Sequence, residues 1–168
     1  LSGATGVTTL TSERVDELDF SNTANTIAAA DVKINGFNAF ASDFTSDTSA
    51  SSANEALLLA TAINANTGVH GAEADAFNSV QSSAKGTFAQ SATFTINGDT
   101  VALGTSYSTL TANINEAVSG INASLNADNT ITLSNKTGEA IVIAGSAASD
   151  VGFTAGTYTG FVSISNLD

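Results

Sequence analysis

Two short segments share the triplet Ile-Asn-Gly: DVKING at residues 31–36 and TFTING at residues 93–98. In both segments polar and apolar residues alternate up to the Asn-Gly pair. Such a pair favours a type I′ hairpin turn, because Asn and Gly tolerate the positive φ angles that this turn requires. The two segments therefore predict β-hairpins over residues 32–40 and 93–103.

A helical pattern follows the first predicted hairpin. Ser52 and Glu55 have the spacing of a capping box, in which the two side chains satisfy free backbone N–H groups at a helix start. We expect a helix over about residues 53–66, with Ala56, Leu59 and Ile63 on one face. Between hairpin and helix lies a Ser- and Asp-rich segment over residues 42–52, which is the best candidate for local disorder.

A second helical pattern follows the second hairpin. Tyr107, Leu110, Ile114 and Ala117 recur at the spacing of a half-buried amphipathic helix. Gly68 and Gly120 stand just after the two helical patterns, where a left-handed residue often ends a helix. We therefore expect both glycines to provide left-handed exits.

The strand pattern returns after each helix, with apolar residues at every second position. Residues 130–133 and 139–144 predict a hairpin around a turn at 135–138, and residues 72–83 and 87–96 predict a looser equivalent. A last strand is expected over residues 158–164. The fold class is α+β: two small antiparallel units, each packed with one helix, over residues 1–86 and 87–168.

The composition excludes several classes of protein. The chain has 168 residues, with 16 acidic against 4 basic side chains and a net charge of −12. Such a surface repels nucleic acid and anionic lipid, so neither is expected as a partner. The apolar runs at 57–60 and 140–144 are far shorter than the ~20 residues that span a bilayer. Because the chain contains no methionine, we expect it to be a piece of a larger protein.

The two segments resemble the flagellin IN motif, which occurs in the outer part of bacterial flagellins and in some filament-associated proteins. The Ile-Asn-Gly triplets lie 62 residues apart and the helical Ile-Asn pairs 51 apart, so the first copy carries 11 extra residues. The sequence at residues 158–168 also resembles the end of such regions. The motif positions are Ile34, Asn35, Gly36, Leu59, Ile63, Asn64 and Gly68 in the first copy, and Ile96, Asn97, Gly98, Leu110, Ile114, Asn115 and Gly120 in the second.

The resemblance implies a structural role in the bacterial flagellum. It points to the solvent-exposed variable region of a flagellin, secreted and extracellular, that serves motility without the helices that polymerise. Its partners would be other flagellin subunits, through parts of the protein outside this sequence, and host antibodies or surfaces. The same resemblance suggests O-glycosylation of an exposed run, for which a plain polar loop is the alternative: Thr45, Ser46, Thr48, Ser49, Ser51 and Ser52.

Two other functions stay open. A filament cap or hook-associated protein shares the motif, and a carbohydrate-binding or adhesive module would show a concave face with clustered aromatic side chains. An enzyme is not expected, nor is a cofactor or a metal, because His70 is the sole histidine and has no nearby second ligand in the sequence.

An insert in a rod must leave and re-enter it at nearby points. We therefore expect residues 6–15 to lie beside residues 161–167.

Overall fold

The computed structural model describes residues 8–15, 26–45, 54–84, 88 and 92–167. It is an α+β fold, as predicted, with three helices and several small antiparallel sheets in the described part. The described residues divide into two compact units: 8–15, 26–45, 54–77, 137–139 and 159–167 form the first, and 78–84, 88, 92–136 and 140–158 form the second. The division falls at 77/78, where the sequence suggested 86/87, and the C-terminal strand belongs to the first unit.

The elements of the first unit are short strands around two helices. They are β1 (Thr8–Thr11), β2 (Thr26–Ile27), β3 (Lys33–Ile34), β4 (Phe37–Asn38), β5 (Phe44–Thr45), α1 (Glu55–Asn64), α2 (Thr67–His70), the first part of β6 (Glu73–Gln81), and the C-terminal strand β13 (Phe161–Leu167). Strand β13 lies between β1 and β6 and is antiparallel to both, while β2 pairs with β5 and β3 with β4.

The pairing of β1 with β13 confirms, for the described residues, that the N-terminal segment lies beside the C-terminal strand. Thr11 is opposite Ser163 in the register. Beyond the strand, the Val15 N–H donates to the Gly160 carbonyl over 2.7 Å. Residues 6 and 7 of the predicted pairing lie outside the described part.

The second unit contains one helix and the remaining strands. They are β7 (Thr95–Ile96), β8 (Asp99–Thr100), α3 (Tyr107–Ala117), β9 (Asn122–Leu125), β10 (Ile131–Asn135), β11 (Ile141–Ala144) and β12 (Gly156–Tyr158). Residues 78–81 of β6 pair with β10, which pairs on its other side with β9. A separate four-stranded sheet has the order β12-β11-β7-β8.

Two predicted hairpins do not form. Strands β10 and β11 belong to different sheets, so residues 135–138 connect the sheets and do not close a hairpin. Strand β6 pairs with β13 and β10, and in the described part of residues 87–96 the strand is Thr95–Ile96, which pairs with β8 and β11. The alternation identified these strands correctly but assigned them the wrong neighbours.

Each unit has its own apolar core. In the second unit, Leu110, Ile114, Ile131, Leu133 and Ile141 are fully buried. The core of the first unit is built from smaller side chains, with several alanines around Phe40, Phe44 and Ile63. The abundance of small residues in the sequence therefore serves close packing in the first unit.

Candidate functional site

The two Ile-Asn-Gly turns have the predicted geometry. Asn35 and Gly36 have φ angles of 51° and 80°, and Asn97 and Gly98 have φ angles of 53° and 89°. Positive φ at both central residues defines the type I′ turn. Both hairpins of the motif are therefore confirmed.

The hairpins also match beyond the turn. The Ala39 N–H donates to the Val32 carbonyl over 2.9 Å, and the Val101 N–H donates to the Phe94 carbonyl over 2.9 Å. These two bonds are offset by the same 62 residues as the triplets. The isoleucines before the turns, Ile34 and Ile96, are both buried.

The asparagine of each helical Ile-Asn pair bonds to the backbone of the strand that follows the helix. The Asn64 Nδ2 donates to the Ala74 carbonyl over 2.7 Å, and its Oδ1 accepts from the Ala74 N–H over 2.8 Å. Asn115 makes the same pair of bonds with Ala123, at 2.9 and 2.7 Å. We call these two arrangements the amide clamps.

Each amide clamp makes the backbone hydrogen bonds that a neighbouring strand would otherwise make. Strand β9 ends its sheet, so the Ala123 N–H and carbonyl on its open side have no strand to bond to. Unpaired backbone groups are costly when they lose water, and a side-chain amide offers one donor and one acceptor at the right spacing. Sequence reasoning missed this role, although an Asn at the same place in both copies was a usable signal.

The turn asparagines act differently in the two copies. The Asn97 Oδ1 accepts from the Val142 N–H over 2.8 Å, and the Asn97 N–H donates to the Val142 carbonyl over 2.8 Å. The Asn35 Nδ2 donates instead to the carbonyls of His70 and Asn166, over 2.8 and 2.9 Å. Both side chains thus fix the turn to elements distant in sequence.

The helix exits differ from the prediction in one copy. Gly68 lies inside α2 and has no left-handed conformation, whereas Gly71, with φ 75°, ends that helix. The prediction was wrong because α2 extends the helical region by one short turn beyond Ala65. Gly120 has φ 77° in the turn after α3, as predicted.

The helix faces largely follow the predicted pattern. Ile63, Leu110 and Ile114 are buried, and Leu59 is partly buried against the core. Ala117, the last residue of α3, is exposed, contrary to prediction.

The start of α1 also differs from the prediction. The helix begins at Glu55 after Asn54, and Asn54 makes no capping bond with its side chain. Ser52 of the predicted capping box lies outside the described residues. The Glu55 carboxylate is buried, and no partner for it exists in the described part.

The proposed glycosylation run falls mainly beyond what the structure describes. Ser46, Thr48, Ser49, Ser51 and Ser52 lie outside the described residues. Thr45 is exposed at the end of β5, where its hydroxyl lies 3.1 Å from the Thr26 hydroxyl. Thr45, the one residue of the proposed glycosylation run that the structure describes, therefore belongs to a strand.

The His70 side chain is buried and forms hydrogen bonds with backbone groups. Its Nδ1 accepts from the Ala72 N–H over 3.1 Å, and its Nε2 lies 3.0 Å from the Ile63 carbonyl. Both ring nitrogens are thus used for structure.

No group of three metal-ligating side chains occurs among the described residues. In that same part of the chain, no helix is long and apolar enough to cross a membrane.

Two open grooves occur in the described units. One, of about 580 Å³, lies in the second unit beside Phe88 and Tyr107, whose rings meet edge to face at 5.1 Å. The other, of about 400 Å³, lies in the first unit beside Phe37. Neither groove contains a motif Ile or helical Asn.

No protein-family model matches this chain, and no curated protein matches it. The assignment of the motif therefore rests on the sequence pattern and on the geometry of its residues.

Proposed function

We propose that the chain is a structural module of the bacterial flagellum, the outer variable region of a flagellin. It faces solvent outside the cell, has no enzymatic activity, and meets other subunits through parts of the protein beyond this sequence. The observation that carries the proposal is the pair of amide clamps. Two copies of the motif use the same helical asparagine for the same two backbone bonds, which supports a genuine repeat over a chance likeness.

The pairing of β1 with β13 also supports the proposal. A region carried on a rod needs its two connections side by side, and the described N-terminal and C-terminal strands are hydrogen-bonded neighbours. The net charge of −12 suits dense display, because copies of like charge on neighbouring subunits repel each other.

Immunogold labelling tests the proposal. Antibodies raised against this chain are applied to intact cells and to sheared flagella of the organism that carries the gene. Labelling along the whole filament is expected for a filament subunit. Labelling confined to the filament tip or to the hook would replace the proposal with a cap or hook-associated protein, and unlabelled flagella on labelled cells would overturn both.

Deletion of residues 8–167 from the natural gene gives a second test. Filaments should still assemble, because the polymerising segments would lie elsewhere. The matched control replaces both clamp asparagines, Asn64→Ala and Asn115→Ala, in the otherwise complete gene. Loss of filaments in the deletion strain, with the shortened subunit still secreted and folded, would contradict the proposal.

A further inference from the structure

An exposed aromatic ring stands beside polar side chains at the first hairpin. Phe37, at the start of β4, is 54% exposed, and Val69 of α2 is exposed to the same extent. Both line the open groove of about 400 Å³ in the first unit. That volume lies within the range of ~300–1,000 Å³ that is usual for small-molecule sites.

Two amide side chains line the same groove. Asn38 accepts through Oδ1 from the Lys33 ammonium, and Asn66 donates through Nδ2 to the Asn38 carbonyl over 2.7 Å. This leaves the Asn38 amide N–H donors and the Asn66 amide oxygen without partners in the described part of the chain. A donor and an acceptor side by side match sugar hydroxyl groups, because each hydroxyl both donates and accepts.

The groove is also distinct in charge. Lys33 lines it, and none of the described lining residues is acidic, on a chain whose net charge is −12. An ammonium group in such a groove favours a ligand with a carboxylate, since hydrogen bonds between charged partners are about twice as strong as neutral ones.

The groove is held in shape before any ligand arrives. The type I′ turn at Asn35 and Gly36 fixes the hairpin, and the Asn35 side chain ties that turn to His70 at the end of α2. The Asn66 bond to the Asn38 carbonyl joins the two sides of the groove directly. A preformed site loses little conformational entropy on binding.

We propose that this groove binds a sugar ring that carries a carboxylate, of the uronic acid class. The C–H face of the ring stacks on Phe37, whose π face is electron-rich. Asn38 and Asn66 bond the ring hydroxyls, Val69 packs against the ring, and the carboxylate pairs with Lys33. The site adds a binding function to the first unit and does not depend on the flagellar assignment.

Nuclear magnetic resonance titration of the full chain tests the site with two probes. D-galacturonic acid and D-galactose have the same ring and differ at C6, where the acid carries the carboxylate. At millimolar concentrations, galacturonate is expected to shift the backbone amides of residues 33–38, 66 and 69. Galactose should shift the same amides with an affinity several-fold weaker.

Two variants separate the contributions. Phe37→Ala should weaken the binding of both sugars about tenfold, and Lys33→Gln should remove the preference for the acid, so that the two sugars bind with similar affinity. Leu125→Ala, at an exposed apolar side chain in the second unit, is the matched control and should bind like the parent chain. Circular dichroism confirms that each variant is folded.

Three outcomes would overturn the proposal. They are the absence of shifts with either sugar, shifts centred on other residues, and galacturonate affinity that Phe37→Ala leaves unchanged in a folded protein.

Discussion

Asn115 shows how one side chain completes a sheet. Its amide bonds to both backbone groups of Ala123 at the open side of β9, and Asn64 does the same for Ala74. The reason for an asparagine at these positions is therefore the geometry of the amide, which combines a donor and an acceptor on one planar group.

Replacing a clamp asparagine should destabilise its own unit. Asn115→Ala removes two hydrogen bonds, and at a net value near 1 kcal/mol for each bond we expect a loss of roughly 1–2 kcal/mol in the free energy of unfolding. Urea denaturation measures the loss. Asn122→Ala, an exposed residue whose side chain makes no hydrogen bond in the described part, is the control and should change stability by less than about 0.5 kcal/mol.

Asn115→Asp refines this test. The carboxylate keeps an acceptor for the Ala123 N–H but places negative charge against the Ala123 carbonyl. It should therefore be no more stable than Asn115→Ala at neutral pH. An aspartate variant as stable as the parent would show that the donor half of the clamp contributes nothing.

Asp128 connects stability to pH. The Thr130 hydroxyl and the Thr130 backbone N–H donate to its carboxylate, at 2.7 and 3.1 Å, and hold the pKa of Asp128 below its ordinary value. A lowered folded-state pKa means that the charged form stabilises the fold. That contribution is complete above the ordinary aspartate pKa of about 3.9 and is lost as the pH falls through the lower folded-state pKa.

Asp128→Asn should therefore lower stability at neutral pH, and the difference from the parent should shrink in acid. Denaturation of both proteins at pH 7 and at pH 3 measures it. A carboxyl-detected titration by nuclear magnetic resonance gives the Asp128 pKa directly. A constant difference at both pH values, or an ordinary Asp128 pKa in the folded protein, would contradict the assignment.

At the scale of elements, two glycines near the helix exit of the first motif differ in backbone conformation. Gly68 lies in α2 with an ordinary φ, and Gly71 ends the helix with φ 75°. A Cβ added at either position would meet no atom within 4 Å. The two positions therefore differ in backbone conformation and not in available space.

Alanine substitutions at these glycines should have opposite effects. Gly68→Ala should raise the free energy of unfolding by about 0.5–1 kcal/mol, because alanine favours a helix and restricts the unfolded chain. Gly71→Ala should lower it by about 1–2 kcal/mol, because a side chain disfavours positive φ. Thermal and urea denaturation of the pair test this, and the reverse order would restore Gly68 as the left-handed exit.

The sequence predicted the local elements well and their partners poorly. Both Asn-Gly turns and the α3 face through Leu110 and Ile114 follow from residues close together in the chain. Alternation identifies which side of a strand is buried but says nothing about its neighbours. The strand after the first helix thus pairs with β13, in which Phe161, 84 residues after Phe77, lies opposite Phe77.

The connection at 135–138 shows why a turn signal can mislead. A Cβ added to Gly160 would lie 2.2 Å from the Gly138 carbonyl oxygen, so the chain at Gly138 passes directly against residue 160. Strand β11, which follows this connection, pairs with β7 and β12 and not with β10. The pattern Asn-Lys-Thr-Gly carries no sign of that distant contact, and the same is true of the groove beside Phe37, which α2 completes with Val69.

At the scale of the whole molecule, the excess of acid is the dominant feature. The chain has sixteen acidic side chains and four basic ones. One of the four, Arg14, lies over the Phe161 ring in the first unit, 4.6 Å from the ring centre. Like charges repel each other more strongly in the compact folded state than in the expanded unfolded chain, so their repulsion favours unfolding. The excess of acid therefore lowers the stability of the folded chain.

Salt should therefore stabilise the folded chain. The Debye length falls from about 30 Å at 0.01 M to about 8 Å at 0.15 M ionic strength, so most repulsion between separate surface carboxylates is screened over this interval. We expect the melting temperature to rise between these two NaCl concentrations, by about 2–4 °C for each 1 kcal/mol gained. The matched control replaces four exposed acids, Glu73→Gln, Asp75→Asn, Asp99→Asn and Glu116→Gln. Because it carries four fewer negative charges, its melting temperature should start higher and respond less to salt; an equal response in both proteins would mean that self-repulsion does not limit the stability of the fold.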